Sequence, residues 1–162
     1  MIRHRASVCI DAHASEVWDR LARLEDIQIW SEAVITAECN GERSRGVGAE
    51  RTCQLAGGVT IQERWLEWEE GRGFLYEGVG IPFVTKAGNR WTVHAEGGQT
   101  LLTSEAEVWL KGGPLSRLLS PLLSRQIDRV AKRTLAAFKY LVEHGEAPPG
   151  RHSRLPVAAA AC

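Results

Sequence analysis

Between Leu115 and Val142, apolar residues fall at helical spacing, with Leu118, Leu122, Ile127, Leu135, Phe138 and Leu141 among them. That pattern predicts one long amphipathic helix over Pro114–His144. Pro114 suits the first turn, Pro121 predicts a kink near the start, and Gly145 fits a C-cap. Pro148-Pro149 blocks continuation. A helix this long with one apolar stripe must be covered by another element, and upstream the chain offers strands.

Those strands alternate in polarity and are punctuated by glycine. Arg5–Asp11 reads as the first. Ala14–Leu24 then reads as a short amphipathic helix with Glu16 in its first turn, and Leu24–Trp30 as a second helical turn. Further strands are predicted over Ala33–Cys39, Gly48–Leu55, Val59–Trp68, Gly73–Val79, Lys86–Ala95 and Thr100–Leu110. Ala56-Gly57-Gly58 and Glu96-Gly97-Gly98-Gln99 read as hairpin loops. The order strand, two short helices, about six strands and a long helix predicts an α+β domain with helices on one face of an antiparallel sheet. The expected boundaries are one domain over residues 1–145 and a disordered, dispensable tail over 146–162, where apolar periodicity stops.

Several function classes are disfavoured. Lys+Arg and Asp+Glu are both 20, so there is no overall basic field of the kind that drives nucleic-acid binding. No apolar run is long enough for a transmembrane helix or a signal-peptide core, which makes the cytoplasm the expected compartment. Cys9, Cys39, Cys53 and Cys162 lack CxxC spacing and read as free thiols or small apolar residues. The five histidines form no HxH or HExxH pattern, and no Gly-rich phosphate loop joins a strand to a helix. Neither a metal nor a cofactor is expected.

Hairpin geometry assigns side chains to faces. A turn at Gly57 sets Leu55 opposite Val59, Cys53 opposite Ile61 and Arg51 opposite Glu63. Alternation then puts Arg51, Cys53, Ile61, Glu63 and Trp65 on the inner, apolar face. Tyr76 shares that face with Phe74. On the next hairpin Trp91 and Val93 are expected inward, opposite Ser104 and Leu102. Trp30 is expected to wall the entrance, Trp18 to lie in the core, and Trp68, Trp109 and His94 to face outward. An Arg51–Glu63 pair on an apolar face reads either as a structural ion pair or as a polar anchor whose carboxylate can move a proton. Tyr76 reads either as a core residue or as a donor to a ligand carbonyl.

The segments Ile10-Asp11-Ala12, Glu16-Val17-Trp18, Trp30-Ser31, Glu63-Arg64-Trp65, Leu75-Tyr76, Trp91-Thr92-Val93 and the final helix after Gly112-Gly113-Pro114 together resemble START-like proteins of the birch-pollen-allergen superfamily. The polyketide cyclase/dehydrase branch is most similar, over residues 2–144; His13 stands where many relatives have proline. The resemblance implies a helix-grip fold, in which a curved seven-stranded sheet holds the last helix with a ligand cavity between. It also implies a hydrophobic small-molecule partner such as a polyketide, quinone, sterol or acyl compound. Trp30, Arg51, Cys53, Ile61, Glu63, Trp65, Tyr76, Trp91, Val93, Leu102 and Ser104 are the candidate ligand contacts, with Glu63 and Tyr76 as candidate catalytic groups. Three readings follow: a binding protein, a cyclase, aromatase or dehydratase, and a protein-interaction module that is a monomer or a homodimer through an edge strand.

Overall fold

The computed structural model describes residues 1–112, 114–149, 155 and 160–162, with backbone only for 114–120. In chain order the elements are β1 (Ile2–Ile10), α1 (Ala14–Leu21), a 3-10 turn (Leu24–Asp26), α2 (Ile27–Trp30), β2 (Val34–Asn40), β3 (Glu50–Leu55), β4 (Val59–Glu69), β5 (Gly73–Val79), β6 (Val84–Glu96), β7 (Gln99–Leu110) and α3 (Pro114–His144). The seven strands form one curved antiparallel sheet in the order β1-β7-β6-β5-β4-β3-β2, which makes β1 and β2 its edges. The long helix lies on its inner face, closest to β1 and to α1 and α2. This is the helix-grip arrangement.

Turn chemistry sets the registers. Gly97 and Gly98 both have positive φ (58° and 99°), as a two-residue type I′ hairpin requires, and they bring Glu96 opposite Gln99. Gly57 and Gly58, also at positive φ, close β3 onto β4 with Leu55 opposite Val59, Cys53 opposite Ile61 and Arg51 opposite Glu63, the expected register. On the first helix Glu16 accepts the His13 backbone N–H at 3.3 Å, so the start of α1 is capped without the proline.

The core is aromatic. Trp30 packs edge-on against Trp91 and Phe138, at 6.0 and 5.0 Å between ring centroids. Leu135, Phe138 and Leu141 anchor the C-terminal half of α3 among Val8, Ile10 and Leu102. Between Pro121 and Thr134 no side chain of α3 is buried. The helix is thus clamped most tightly at its C-terminal end, while Asp128 in an earlier turn reaches His4 Nε2 of β1 at 3.0 Å.

Two expectations are corrected. Trp68 lies on the inner face, not the outer one. A β-bulge between Trp65 and Glu67 inserts an extra residue, resets the alternation, and sets Trp68 opposite Phe74, on which it stacks at 5.3 Å. The cysteines are not all free: Cys9 is bonded to Cys162, 153 residues away, while Cys39 and Cys53 remain thiols. Leu155 also packs against the main core, so the tail meets the domain at two places.

Glu70 ties the bulged strand to α1. It accepts the Trp18 indole N–H at 2.9 Å on one oxygen and that of Trp68 at 2.8 Å on the other, with Arg45 alongside. The hydrogen bonds from Trp68 and Trp18 hold its carboxyl below the ordinary glutamate range. A group with a lowered folded-state pKa stabilises the fold above its unfolded pKa, and that contribution disappears as pH falls through the folded value. Glu70→Gln replaces an acceptor with an N–H that confronts one indole. The variant is expected to melt below wild type at neutral pH, with the gap closing in acid. Thermal melts of both proteins across the carboxylate range measure this; a gap independent of pH would refute the assignment.

Candidate functional site

The polar groups of the inner face come from successive strands. Arg51 on β3 donates through Nε to Glu63 Oε2 on β4 at 2.7 Å, and its Nη2 reaches the same oxygen at 2.6 Å. Its third nitrogen donates to the Leu24 carbonyl in the 3-10 turn, which fastens that turn to the sheet. The guanidinium lies over the Trp65 ring at 4.9 Å and the Tyr76 ring at 5.9 Å. Arg51 is 3% exposed and the Glu63 side chain 10%, so the cation is buried and the carboxylate nearly so. Burial opposes its charge most strongly, but Glu63, Cys53 and Tyr76 together outweigh that effect, and the pKa lies above the ordinary arginine value.

Tyr76 on β5 packs against Trp65 at 5.0 Å. Burial first, and Glu63 second, push its hydroxyl up to about 12. It is therefore a neutral donor at physiological pH, not a base. Cys53 donates to Glu63 Oε2 at 3.4 Å, and burial pushes its thiol up to about 12 as well, so it is not a thiolate nucleophile. Gly78 lies opposite Glu63; a Cβ there would come within 3.4 Å of the Glu63 side chain, and the glycine keeps that space clear.

Two polar contributions were not anticipated. Asn89 on β6 lies opposite Tyr76 and accepts the Ser104 hydroxyl through Oδ1 at 2.9 Å, which connects Ser104 to the row. Extending the alternation from Val93 and Trp91 by one step would have found it. The Leu24 carbonyl carried no sequence signal, because it is backbone from a turn 27 residues away.

Arg51, Cys53, Glu63, Trp65 and Tyr76 are thus brought into one contact group. Ile61 is buried beside Glu63 and Gly78. Trp91, Val93 and Leu102 lie deeper, in the main core near α1 and α3. Trp30, at 5% exposure, is packed inside rather than walling an entrance, because α2 turns it onto Trp91 and Phe138. Trp109 and His94 lie on the outer face, where Lys86 covers the Trp109 ring at 4.6 Å.

Some hydrogen-bonding capacity is unused. The buried indole N–H groups of Trp30 and Trp65 have no partner among the described residues, and neither does Glu63 Oε1. No group of three His, Cys, Asp or Glu side chains suited to a metal occurs among the described residues, and no described helix is long and apolar enough to cross a membrane.

A curved sheet gripping a C-terminal helix, with a polar group set into an apolar inner face, defines the helix-grip class of START-like proteins. Within it, the family described as polyketide cyclase / dehydrase and lipid transport matches residues 1–143, and the chain belongs to that family. No curated protein matches the sequence. Among solved structures, the protein TTHA0849 from Thermus thermophilus is similar at TM-score 0.74 and 16% identity, covering 90% of this chain and 100% of that one. Norcoclaurine synthase from Thalictrum flavum is similar at TM-score 0.68 and 15% identity, covering 87% and 92%. Ara h 8.0201 is similar at 0.64 and 12%, covering 85% and 97%. At these identities the likeness establishes the fold. Family and fold together point to a protein of the hydrophobic ligand-binding or polyketide cyclase/dehydrase type.

Proposed function

We propose that the protein binds a hydrophobic small molecule of polyketide, quinone, sterol or acyl type between the inner face of β3–β6 and the first half of α3, with Arg51, Glu63 and Tyr76 fixing its orientation. The observation that carries this reading is the hydrogen-bonding capacity the protein leaves unused. A sheet face that served only packing would leave few buried polar groups unpartnered, yet Trp65 Nε1 is buried with no partner among the described residues, and the partly exposed Glu63 accepts hydrogen bonds from them on Oε2 alone. A ligand with an oxygen acceptor and a hydroxyl donor would complete both. Tyr76 supplies a further neutral donor, and the unburied turns of α3 leave the apolar side chains Leu123 and Ile127 half-buried.

Glu63 favours a second, catalytic reading. One of its oxygens is anchored by Arg51 and the other is without a hydrogen bond among the described residues. A carboxylate so held could take a proton from carbon in a polycarbonyl substrate, with Tyr76 donating to the developing enolate.

Native mass spectrometry of the purified protein, followed by titration with the released compound, tests both readings. The expected result is one hydrophobic molecule per chain, with Tyr76→Phe weakening its affinity about two- to tenfold through one lost hydrogen bond. Under the catalytic reading Glu63→Gln, assayed where it remains folded, stops conversion but retains binding. Absence of any retained or titratable apolar ligand would overturn the proposal.

A further inference from the structure

Charge is balanced over the whole chain but not along it. Lys and Arg equal Asp and Glu at 20 each, yet the stretch 111–142 holds seven Lys or Arg, Lys111 included, and a single acid, Asp128. On α3, Leu122, Arg125, Arg129 and Lys132 follow one another at steps of three and four and are all exposed, so they form one stripe on the side away from the sheet. Val130 and Arg133 are exposed beside it. Lys132 is paired with Asp128 and Arg133 with Glu32, but Arg125 and Arg129 make no ion pair among the described residues.

The same end of the molecule displays apolar side chains to water. Leu122 is 65% exposed and Phe83 60%. Phe83 lies in the turn between β5 and β6, and the Lys111 N–H donates to its carbonyl at 2.9 Å, so this turn is fixed beside the chain entering α3. Its φ is +62°, a conformation that residues other than glycine reach at a cost. The exposed Val79 lies in the preceding strand end. Exposed apolar residues are ordinary when scattered singly. Here they accompany unpaired cations on one helix and its adjoining turn.

We propose that this surface, the outer stripe of α3 with the β5–β6 turn, docks the protein on a membrane bearing anionic lipids. Arg125 and Arg129 meet the headgroup phosphates and carboxylates, while Phe83 and Leu122 enter the boundary with the acyl chains. A nucleic-acid duplex would answer the cations equally well but keeps its base faces stacked away from Phe83 and Leu122, and a single strand could stack on Phe83 but would give Leu122 no acyl phase to enter. Docking there sets the less tightly packed half of α3 against the phase where hydrophobic ligands concentrate. In that respect it extends the binding function proposed above; the surface argument itself is independent of it.

Cosedimentation of ligand-free protein with phosphatidylcholine vesicles, with and without phosphatidylserine, tests the proposal. Binding is expected only with phosphatidylserine and should weaken as salt rises. Arg125→Glu combined with Arg129→Glu should lower affinity at least about tenfold. Phe83→Asn keeps a residue tolerant of positive φ and should lower affinity several-fold at unchanged melting temperature. Equal binding to both vesicle types, no binding, or insensitivity to the arginine changes would overturn the proposal. So would tighter binding to a single-stranded nucleic acid that Phe83→Asn leaves intact. Vesicle binding by a protein that holds no hydrophobic ligand would sustain the docking surface and remove the ligand reading.

Discussion

Glu63→Gln is expected to destabilise the ligand-free protein by about 3–5 kcal/mol, the usual consequence of stranding one member of a buried ion pair. Arg51 is 3% exposed and cannot shed its proton, so without the carboxylate its charge stays buried against neutral acceptors alone, the Gln amide oxygen and the Leu24 carbonyl. Arg51→Met should also destabilise, because it leaves the Glu63 carboxylate without its cation. The double variant Arg51→Met/Glu63→Gln leaves no buried charge and should recover part of the larger single loss. Recovery will be incomplete, because the Leu24 carbonyl also loses its donor and the 3-10 turn its attachment to β3. Denaturant unfolding of the four proteins measures this. Strict additivity of the two single changes would show that the residues are not coupled.

This pair was legible in the sequence because its position depends on short-range geometry. Once glycines close the hairpin, alternation places Arg51 opposite Glu63, and a one-residue slip would expose Cys53 and Ile61. The long helix was legible for a similar reason, since its stripe and stop signals are local. Trp68 was misplaced because a bulge changes the phase of a strand without altering its composition. The Leu24 contact and the Trp30 packing depend on how the turn and α2 settle against the sheet, and strand periodicity carries no information about that. The Cys9–Cys162 bond joins residues at opposite ends of the sequence, and spacing rules recognise only nearby cysteines.

That bond carries its own prediction for the tail. Loss of the disulfide, by Cys162→Ser or by removing residues 147–162, is expected to lower stability by about 2–4 kcal/mol, because the cross-link closes nearly the whole chain and restricts the unfolded ensemble most when the loop is long. For a domain of this size that corresponds to a fall in Tm of about 5–15 °C. Local packing supports a role in the folded state as well. Cys9 and Thr103 alternate to the outer face of β1 and β7, yet they are 6% and 4% exposed, whereas the neighbouring outer residues Arg5 and Glu105 are not buried. The C-terminal residue bonded to Cys9 lies on this face. Cys9→Ser, Cys162→Ser and the double variant should therefore share one Tm, since all three remove the same bond. A reductant should lower wild type to about that value and leave the variants unchanged. Calorimetry with and without dithiothreitol, alongside a free-thiol count, distinguishes the outcomes. A wild-type Tm indifferent to reduction, or four reactive thiols in the unfolded non-reduced protein, would show that the tail does not hold the domain through this bond.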